Sequence, residues 1–539
     1  LRQDWFQKRF EFCTMNTARM NKLLVFVLLW GFVLRVGVLV GRDTDYWYDE
    51  AIVANISKQG IEMLLDTVSS EPHPPGFYFL LKLFPVDNPL VTRLSLLFVS
   101  EVLLVGGVIW AVRNVRNWEE FRLGIIVFLT SYGYLWSGMD VKQGVVTVPV
   151  WLWWFWIWIL SWEQKLNLKQ EILWAVLSMV IIWFDYRYSA VLVVLMGLQW
   201  WINRDKKYLG RGLTFLGSVL LVVLAVGWKQ TINNVTRFGW TVSRESSVFS
   251  GFQAFFIGRP FSDWAGDAIL VVLVTWFIIG ATRLIARRKQ KNVARWIWIV
   301  VGGLTLLLMY VGMRGFILVR YAVPLYFIGC LVIGMGLQNV WARNKLGKKA
   351  VAWSIFIFFV SGAAGVLTYD PGWFSDKLAQ TISDVGPGAG FISEHPNFSV
   401  VFLIQRTEIE GAAGVNIYDI VGSTRAHNIT KRVLGLEGLD LRARKLSLDQ
   451  VRTRLAESGL KKFVYMADLN TSPFYDSKRQ AFFVLGNMCQ MKKVETLGGT
   501  TFLIIWDECN FEDRSLPDPI PVYEKGSDKD EREKKGQRY

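Results

Sequence analysis

The chain has 539 residues, 52% of them hydrophobic, including 26 Trp and 36 Phe, and a mean hydropathy of +0.29. A water-soluble domain of this length carries a larger polar share, so composition excludes an ordinary soluble enzyme. The formal net charge is +15. The basic residues sit mostly in short loops between apolar runs, which makes them a topology signal rather than a nucleic-acid surface.

In chain order, apolar runs of about 17 to 22 residues recur, each long enough to cross a hydrocarbon core. The first, 23–40, is long for a signal peptide and lacks a small-residue cleavage site, so it reads as a retained anchor. About eleven spans are predicted, at roughly 23–41, 90–112, 123–138, 143–161, 171–185, 187–202, 212–229, 267–285, 296–313, 321–340 and 349–368. Basic segments at 113–116, 203–207, 287–291 and 343–345 alternate with acidic or neutral connections. By the positive-inside bias they are cytoplasmic, as is the basic stretch before the first span. The loop 42–89 is then extracytoplasmic, and an odd number of spans puts the C-terminal part there too.

From about 369 the pattern changes. Apolar runs shrink to Phe391-Ile392, 400–404, 463–466 and 501–505, with helix-like stretches such as 448–458 between them. This predicts a small extracytoplasmic α/β domain over 369–510, and a charged, disordered tail over 511–539. The expected fold class is therefore a polytopic α-helical membrane protein in the plasma membrane, with a transmembrane domain over 1–368 and this appended domain. Cys489 and Cys509 pair if their region faces an oxidising compartment, and otherwise remain thiols. The sequence has no internal repeat, no metal-type Cys/His cluster and no Gly-rich phosphate loop.

The loop 42–89 holds the most concentrated chemistry. Asp43, Asp45, Asp49 and Glu50 lie within eight residues, beside Tyr46, Trp47 and Tyr48. Such a group either is a solvated acidic loop, binds a divalent cation through Asp43, Asp45 and Asp49, or keeps one carboxylate ready to take a proton. Further on stands Glu71-Pro72-His73-Pro74-Pro75-Gly76-Phe77-Tyr78. The proline pair fixes the backbone beside one of only three histidines. The apolar stretch 77–83 after it reads as a membrane-hugging helix.

Other polar insertions stand at predicted external helix ends: Asp140-Val141-Lys142, Asp185-Tyr186-Arg187-Tyr188, Arg314, and Arg320-Tyr321 with Pro324. Basic residues on the external side run against the topology bias. They either snorkel to the interface or face a ligand, and a guanidinium suits a phosphate.

The ordered set resembles the GT-C integral-membrane glycosyltransferases, in the branch of protein O-mannosyltransferases and lipid A aminoarabinose transferases. The carrying elements are Asp49-Glu50 after the first span, His73 to Tyr78, Asp140-Val141-Lys142 after the third span, and Arg320-Tyr321 with Pro324. The third element departs from the usual Glu-x-Arg. The resemblance covers about residues 20 to 370. It implies a polyprenyl-phosphate-linked sugar as donor and an inverting transfer at the extracytoplasmic face. The acceptor is a protein, lipid or polysaccharide. Asp49 would be the acceptor base and Glu50 its support. Asp140 and His73 would orient substrates, and Lys142, Arg187, Arg320 and Tyr321 would hold the donor phosphate with His73. The family has metal-dependent and metal-independent members, so a divalent cation stays undecided. Two other classes fit less well: a transporter or flippase of lipid-linked sugars, which needs charges inside the spans, and a non-catalytic assembly subunit.

Overall fold

The computed structural model describes residues 2–42, 46, 48–68, 73–115, 118–163, 166–203, 207–226, 255–256, 263–286, 297–304, 306, 323–342, 345–368, 384–385, 389–393, 416–419, 448–468, 480–498 and 501–511. The chain forms two compact units, one of residues 1–44 and 52–371, the other of 45–51 and 372–539.

The first unit is helical. Among the described residues six helices are long and apolar enough to cross a membrane: Met20–Gly41, Pro89–Asn114, Gly144–Trp162, Gly266–Ala286, Val323–Trp341 and Lys345–Leu367. They fall on six of the expected spans, and the chain is a polytopic membrane protein. The helices are α1 (Arg2–Arg42), α2 (Tyr48–Lys58), α3 (Ile61–Val68), α4 (Gly76–Leu81), α5 (Pro89–Asn114), α6 (Trp118–Thr130), α7 (Tyr132–Ser137), α8 (Gly144–Glu163), α9 (Leu168–Phe184), α10 (Tyr186–Asn203) and α11 (Lys207–Val226). Then come α12 (Asp263–Ala286), α13 (Val323–Trp341) and α14 (Lys345–Leu367).

Local chemistry sets several ends. Asn88 caps α5, accepting from the Val91 amide at 3.0 Å, with Pro89 in the first turn. Asn167 and Gln170 form a capping box at α9. The region expected as one span at 123–138 is two helices. Ser131 is extended (φ −71°, ψ 142°), and its hydroxyl donates to the Phe128 carbonyl at 2.6 Å. Serine here competes locally for the backbone and ends α6.

Glycine governs the packing, because lipid supplies no hydrophobic drive between helices and close backbone contact must do so. A methyl group on Gly124 of α6 would sit 2.7 Å from Leu331 Cα of α13, and one on Gly334 would collide with the Gly124 amide nitrogen. Gly280 of α12 meets the Val332 carbonyl in the same way. α8 is almost wholly buried: Trp151, Phe155 and Trp156 surround Phe327 of α13, with ring centroids 5.5, 5.3 and 5.9 Å away.

The connection between α1 and α5 is folded. Lys58 pairs with Asp87, and the Lys82 ammonium donates to the Gln59 carbonyl. α4 does not hug the membrane as expected: Phe77, Tyr78 and Leu81 are buried in protein. Its first residue, a glycine, lets the helix seat against the end of α9.

In the second unit, β1 (Ala389–Ser393), β2 (Asn416–Asp419), β3 (Lys462–Asp468), β4 (Gln490–Gly498) and β5 (Thr501–Asp507) form one sheet in the order β2-β1-β3-β5-β4. β1 pairs parallel with β2 and β3, while β5 pairs antiparallel with β3 and β4. Helices α15 (Leu448–Glu457) and α16 (Gln480–Met488) supply Val451, Leu455, Val484 and Leu485 to a core with Phe463, Tyr465 and Trp506. Cys489 and Cys509 form a disulfide. Of the expected apolar runs, 400–404 and the tail from 512 lie outside the described residues. β4 was not expected, because its Met491, Lys492, Lys493 and Val494 are exposed on an edge strand.

Candidate active site

The acidic pair opens α2. Glu50 is fully buried, and Tyr46 just before it is buried as well. Burying a carboxylate is costly without partners, so this is not a solvated acidic loop at Glu50. The side chain of Asp49, also on α2, lies outside the described residues, as do Asp43 and Asp45. Among the described residues, no three His, Cys, Asp or Glu side chains gather as a metal-binding group.

The His-Pro-Pro element is built from its backbone. Pro74 and Pro75 are buried, and Pro75 (φ −72°, ψ −18°) starts α4 in a helical conformation that its ring favours. The following Gly76 is required by space. A methyl group there would lie 2.6 Å from the Trp183 carbonyl and 2.8 Å from the Phe184 ring. Phe77 then meets Phe184 edge-on at 6.3 Å. The turn thus docks on the last residues of α9, directly before the buried Asp185.

The connection from α7 to α8 forms a tight turn over 138–143. The Met139 amide donates to Trp136 at 2.9 Å, that of Lys142 to Asp140 at 2.8 Å, and that of Val145 to Lys142 at 3.1 Å. Asp140, Lys142 and Gln143 are all buried. The Gln143 amide nitrogen bonds Nδ1 of His73. An amide nitrogen can only donate, so Nδ1 accepts, and a neutral His73 carries its proton on Nε2.

The structure therefore brings together three elements that the sequence offered separately: the His73 turn, the Asp140–Gln143 turn and the Asp185 corner. The side chain of Arg187, and Arg320, Tyr321 and Arg314 entirely, lie outside the described residues. Gln143 was missed in the sequence. Its only signal was adjacency to Lys142.

Charges inside the spans were missed too. Arg35 of α1 pairs with Glu101 of α5, with 1% and 9% of the side chains exposed. Arg35 and Glu101 thus place charges inside the spans, beyond the candidates expected at helix ends.

No protein-family model matches the sequence, and no curated protein matches it. By structure, the chain is similar to ArnT from Cupriavidus metallidurans bound to undecaprenyl phosphate, with a TM-score of 0.56 and 11% identity over 91% of this chain and 99% of that one. The apo form of the same protein gives a TM-score of 0.55 at 11% identity, over 90% and 98%. The apo oligosaccharyltransferase of Archaeoglobus fulgidus gives only 0.44 at 11% identity, over 83% and 69%, too slight a likeness to argue from. Six apolar helices, a helical connection between α1 and α5, and a backbone that follows ArnT for nearly its full length show that this chain shares the fold of ArnT.

Proposed function

We propose that the protein is an inverting glycosyltransferase that moves a sugar from a polyprenyl-phosphate donor to an acceptor at the extracytoplasmic membrane face. The observation that carries this reading is the meeting of the His73 turn with Gln143 and the end of α9, inside a fold shared with a protein that binds undecaprenyl phosphate.

In this reaction the acceptor oxygen or nitrogen attacks the anomeric carbon. The bond from that carbon to the phosphate oxygen breaks, and its electron pair leaves with the polyprenyl phosphate. Asp49 takes the acceptor proton, and Glu50 supports it. The phosphate gains negative charge as the bond breaks, so cations aimed at it favour the transition state over the ground state. Lys142 supplies one such charge, with Arg187 and Arg320, while Tyr321 donates a hydroxyl. Asp140 and His73 orient the substrates. The family's Arg is a lysine here at Lys142, a point charge in place of a bidentate fork. Asp43, Asp45 and Asp49 would hold a divalent cation if one is used.

The topology that goes with this reading puts about eleven spans in the membrane, the N-terminus in the cytoplasm and 369–510 outside. The Cys489–Cys509 disulfide supports it, since such bonds persist in oxidising compartments.

The test is a transfer assay with purified protein, polyprenyl-phosphate sugars and candidate acceptors. Product with an inverted anomer supports the reading. Uptake of donor across a vesicle bilayer without transfer would favour a transporter, and neither activity would favour the assembly subunit. Arg320→Ala is expected to weaken donor use strongly and Arg320→Lys to restore it in part. Unchanged donor dependence would reduce Arg320 to a snorkelling residue.

A further inference from the structure

The Arg35–Glu101 pair is not used by the chemistry above, yet it is costly. Charged side chains in a bilayer are rare and serve a purpose, and a purely structural buried pair can often be replaced by apolar residues without loss. Its surroundings show what it does. Arg35 donates from Nε to the Gly31 carbonyl at 2.9 Å within α1. Its Nη2 bonds Glu101 Oε1 on α5. The Tyr134 hydroxyl of α7 donates to the same oxygen at 3.3 Å, and the guanidinium lies 5.1 Å above the Tyr134 ring. Three helices distant in sequence meet at one guanidinium.

The remaining nitrogen, Nη1, is buried with no hydrogen-bond partner. It packs against Gly138: a methyl group there would collide with it. Gly138 has an ordinary helical backbone (φ −85°, ψ −5°), so glycine is needed for space and not for conformation. Gly138 ends α7 and opens the turn that carries Asp140, Lys142 and Gln143.

We propose that Arg35 and Glu101 are positioning residues that set the place of the 138–143 turn. Hydrogen bonds to a fixed guanidinium are directional, whereas apolar packing would let α7 slide or rotate against α1. The pair fixes α7, the Gly138 contact fixes the first residue of the turn, and the turn delivers Lys142 and Asp140. The link to catalysis rests on the donor-binding reading of Lys142; the positional claim does not.

The experiment uses full-length protein in lipid nanodiscs. Gly138→Ala pushes the turn from the guanidinium, and a misplacement of that kind is expected to lower kcat by about 10²-fold with little change in donor KM. Arg35→Lys removes the guanidinium together with its directional bonds to Gly31 and Glu101, so it is expected to lower kcat in the same direction by itself, and adding Gly138→Ala to it is expected to cost little more. Tyr134→Phe deletes only the hydroxyl on Glu101 and should lower kcat in the same direction with the fold intact. A second readout needs no sugar. Labelling of Lys142→Cys by a thiol reagent is expected to accelerate when Gly138→Ala is added, and likewise when Arg35→Lys is added. Unchanged labelling, or wild-type kcat in both Gly138→Ala and Tyr134→Phe, overturns the inference. Loss of transfer in the wild type itself would instead sink the function reading, with the labelling result still deciding the positional one.

Discussion

Gln143 donates its side-chain amide to Nδ1 of His73 and so locks the His-Pro-Pro turn to the turn that carries Asp140 and Lys142. The two residues are 70 positions apart, and each belongs to a rigid element. Gln143 is itself held, because its carbonyl accepts from the Thr147 hydroxyl at 2.6 Å. Gln143→Ala removes the bond that joins the two turns through Nδ1 of His73. We expect kcat for sugar transfer to fall by about tenfold and the thermal midpoint of the purified protein to fall slightly, because one neutral hydrogen bond between buried turns is lost. Wild-type kcat would show that the contact does not serve the reaction.

Asp49→Asn keeps size and polarity but cannot take a proton. Loss of a general base costs about 10² to 10⁴-fold in rate, so steady-state turnover should fall by that much. Asp43→Asn and Asp45→Asn should cost far less. The opposite ranking would move the base upstream to the Asp43–Asp45 segment.

Gly334 tests the packing. Its α-carbon faces the Gly124 backbone, which cannot rotate aside as a side chain could. Gly334→Ala is expected to destabilise the protein by about 1–3 kcal/mol through overpacking, seen as a lower thermal midpoint in detergent. Gly197→Ala on α10 has open space and serves as the neutral control. Equal midpoints would mean that α6 and α13 adjust.

Asp507 gives the second unit a pH dependence of known sign. Lys492 donates to its Oδ2 at 2.6 Å and the Glu508 amide to its Oδ1 at 2.9 Å. The Lys492 bond is the main cause that holds the carboxyl below its usual range. A lowered folded value means the contribution is fully present above the ordinary aspartate value and is lost as pH falls through the folded one. The same bond raises Lys492, whose share is lost only at high pH. Asp507→Asn should therefore lower the unfolding midpoint of this unit at neutral pH and leave it unchanged at about pH 2. A deficit that persists in acid would point to packing instead.

The disulfide joins the end of α16 to the chain after β5, closing a separation of 20 residues. The Asn510 amide bonds the Met488 carbonyl of α16 at 2.9 Å, parallel to the disulfide, and the Cys509 amide bonds the Lys461 carbonyl just before β3 at 3.1 Å. Cys489→Ser/Cys509→Ser is expected to cost about 2–5 kcal/mol, read from the thermal midpoint with and without reductant. In whole cells, mass-tagging of these two thiols should require prior reduction. Free thiols in untreated cells would count against an extracytoplasmic location.

What the sequence settled by itself was local in origin. The span at 90–112 was legible because length and hydropathy are properties of a contiguous segment. So were β1, β3 and β5, whose apolar runs mark strands with buried faces, and the stiffness of His73-Pro74-Pro75, which proline imposes on its own backbone. Tertiary structure alone decided the rest. The break at Ser131 falls inside a segment apolar enough overall to read as one span, and α4 is buried because Gly76 admits the end of α9. β4 lies on an edge, where side chains need not be apolar, so it left no run to read. The Arg35–Glu101 and Gln143–His73 contacts join residues 66 and 70 positions apart. No periodicity or spacing encodes such a meeting; only the close glycine packing of the helices brings the partners to one place.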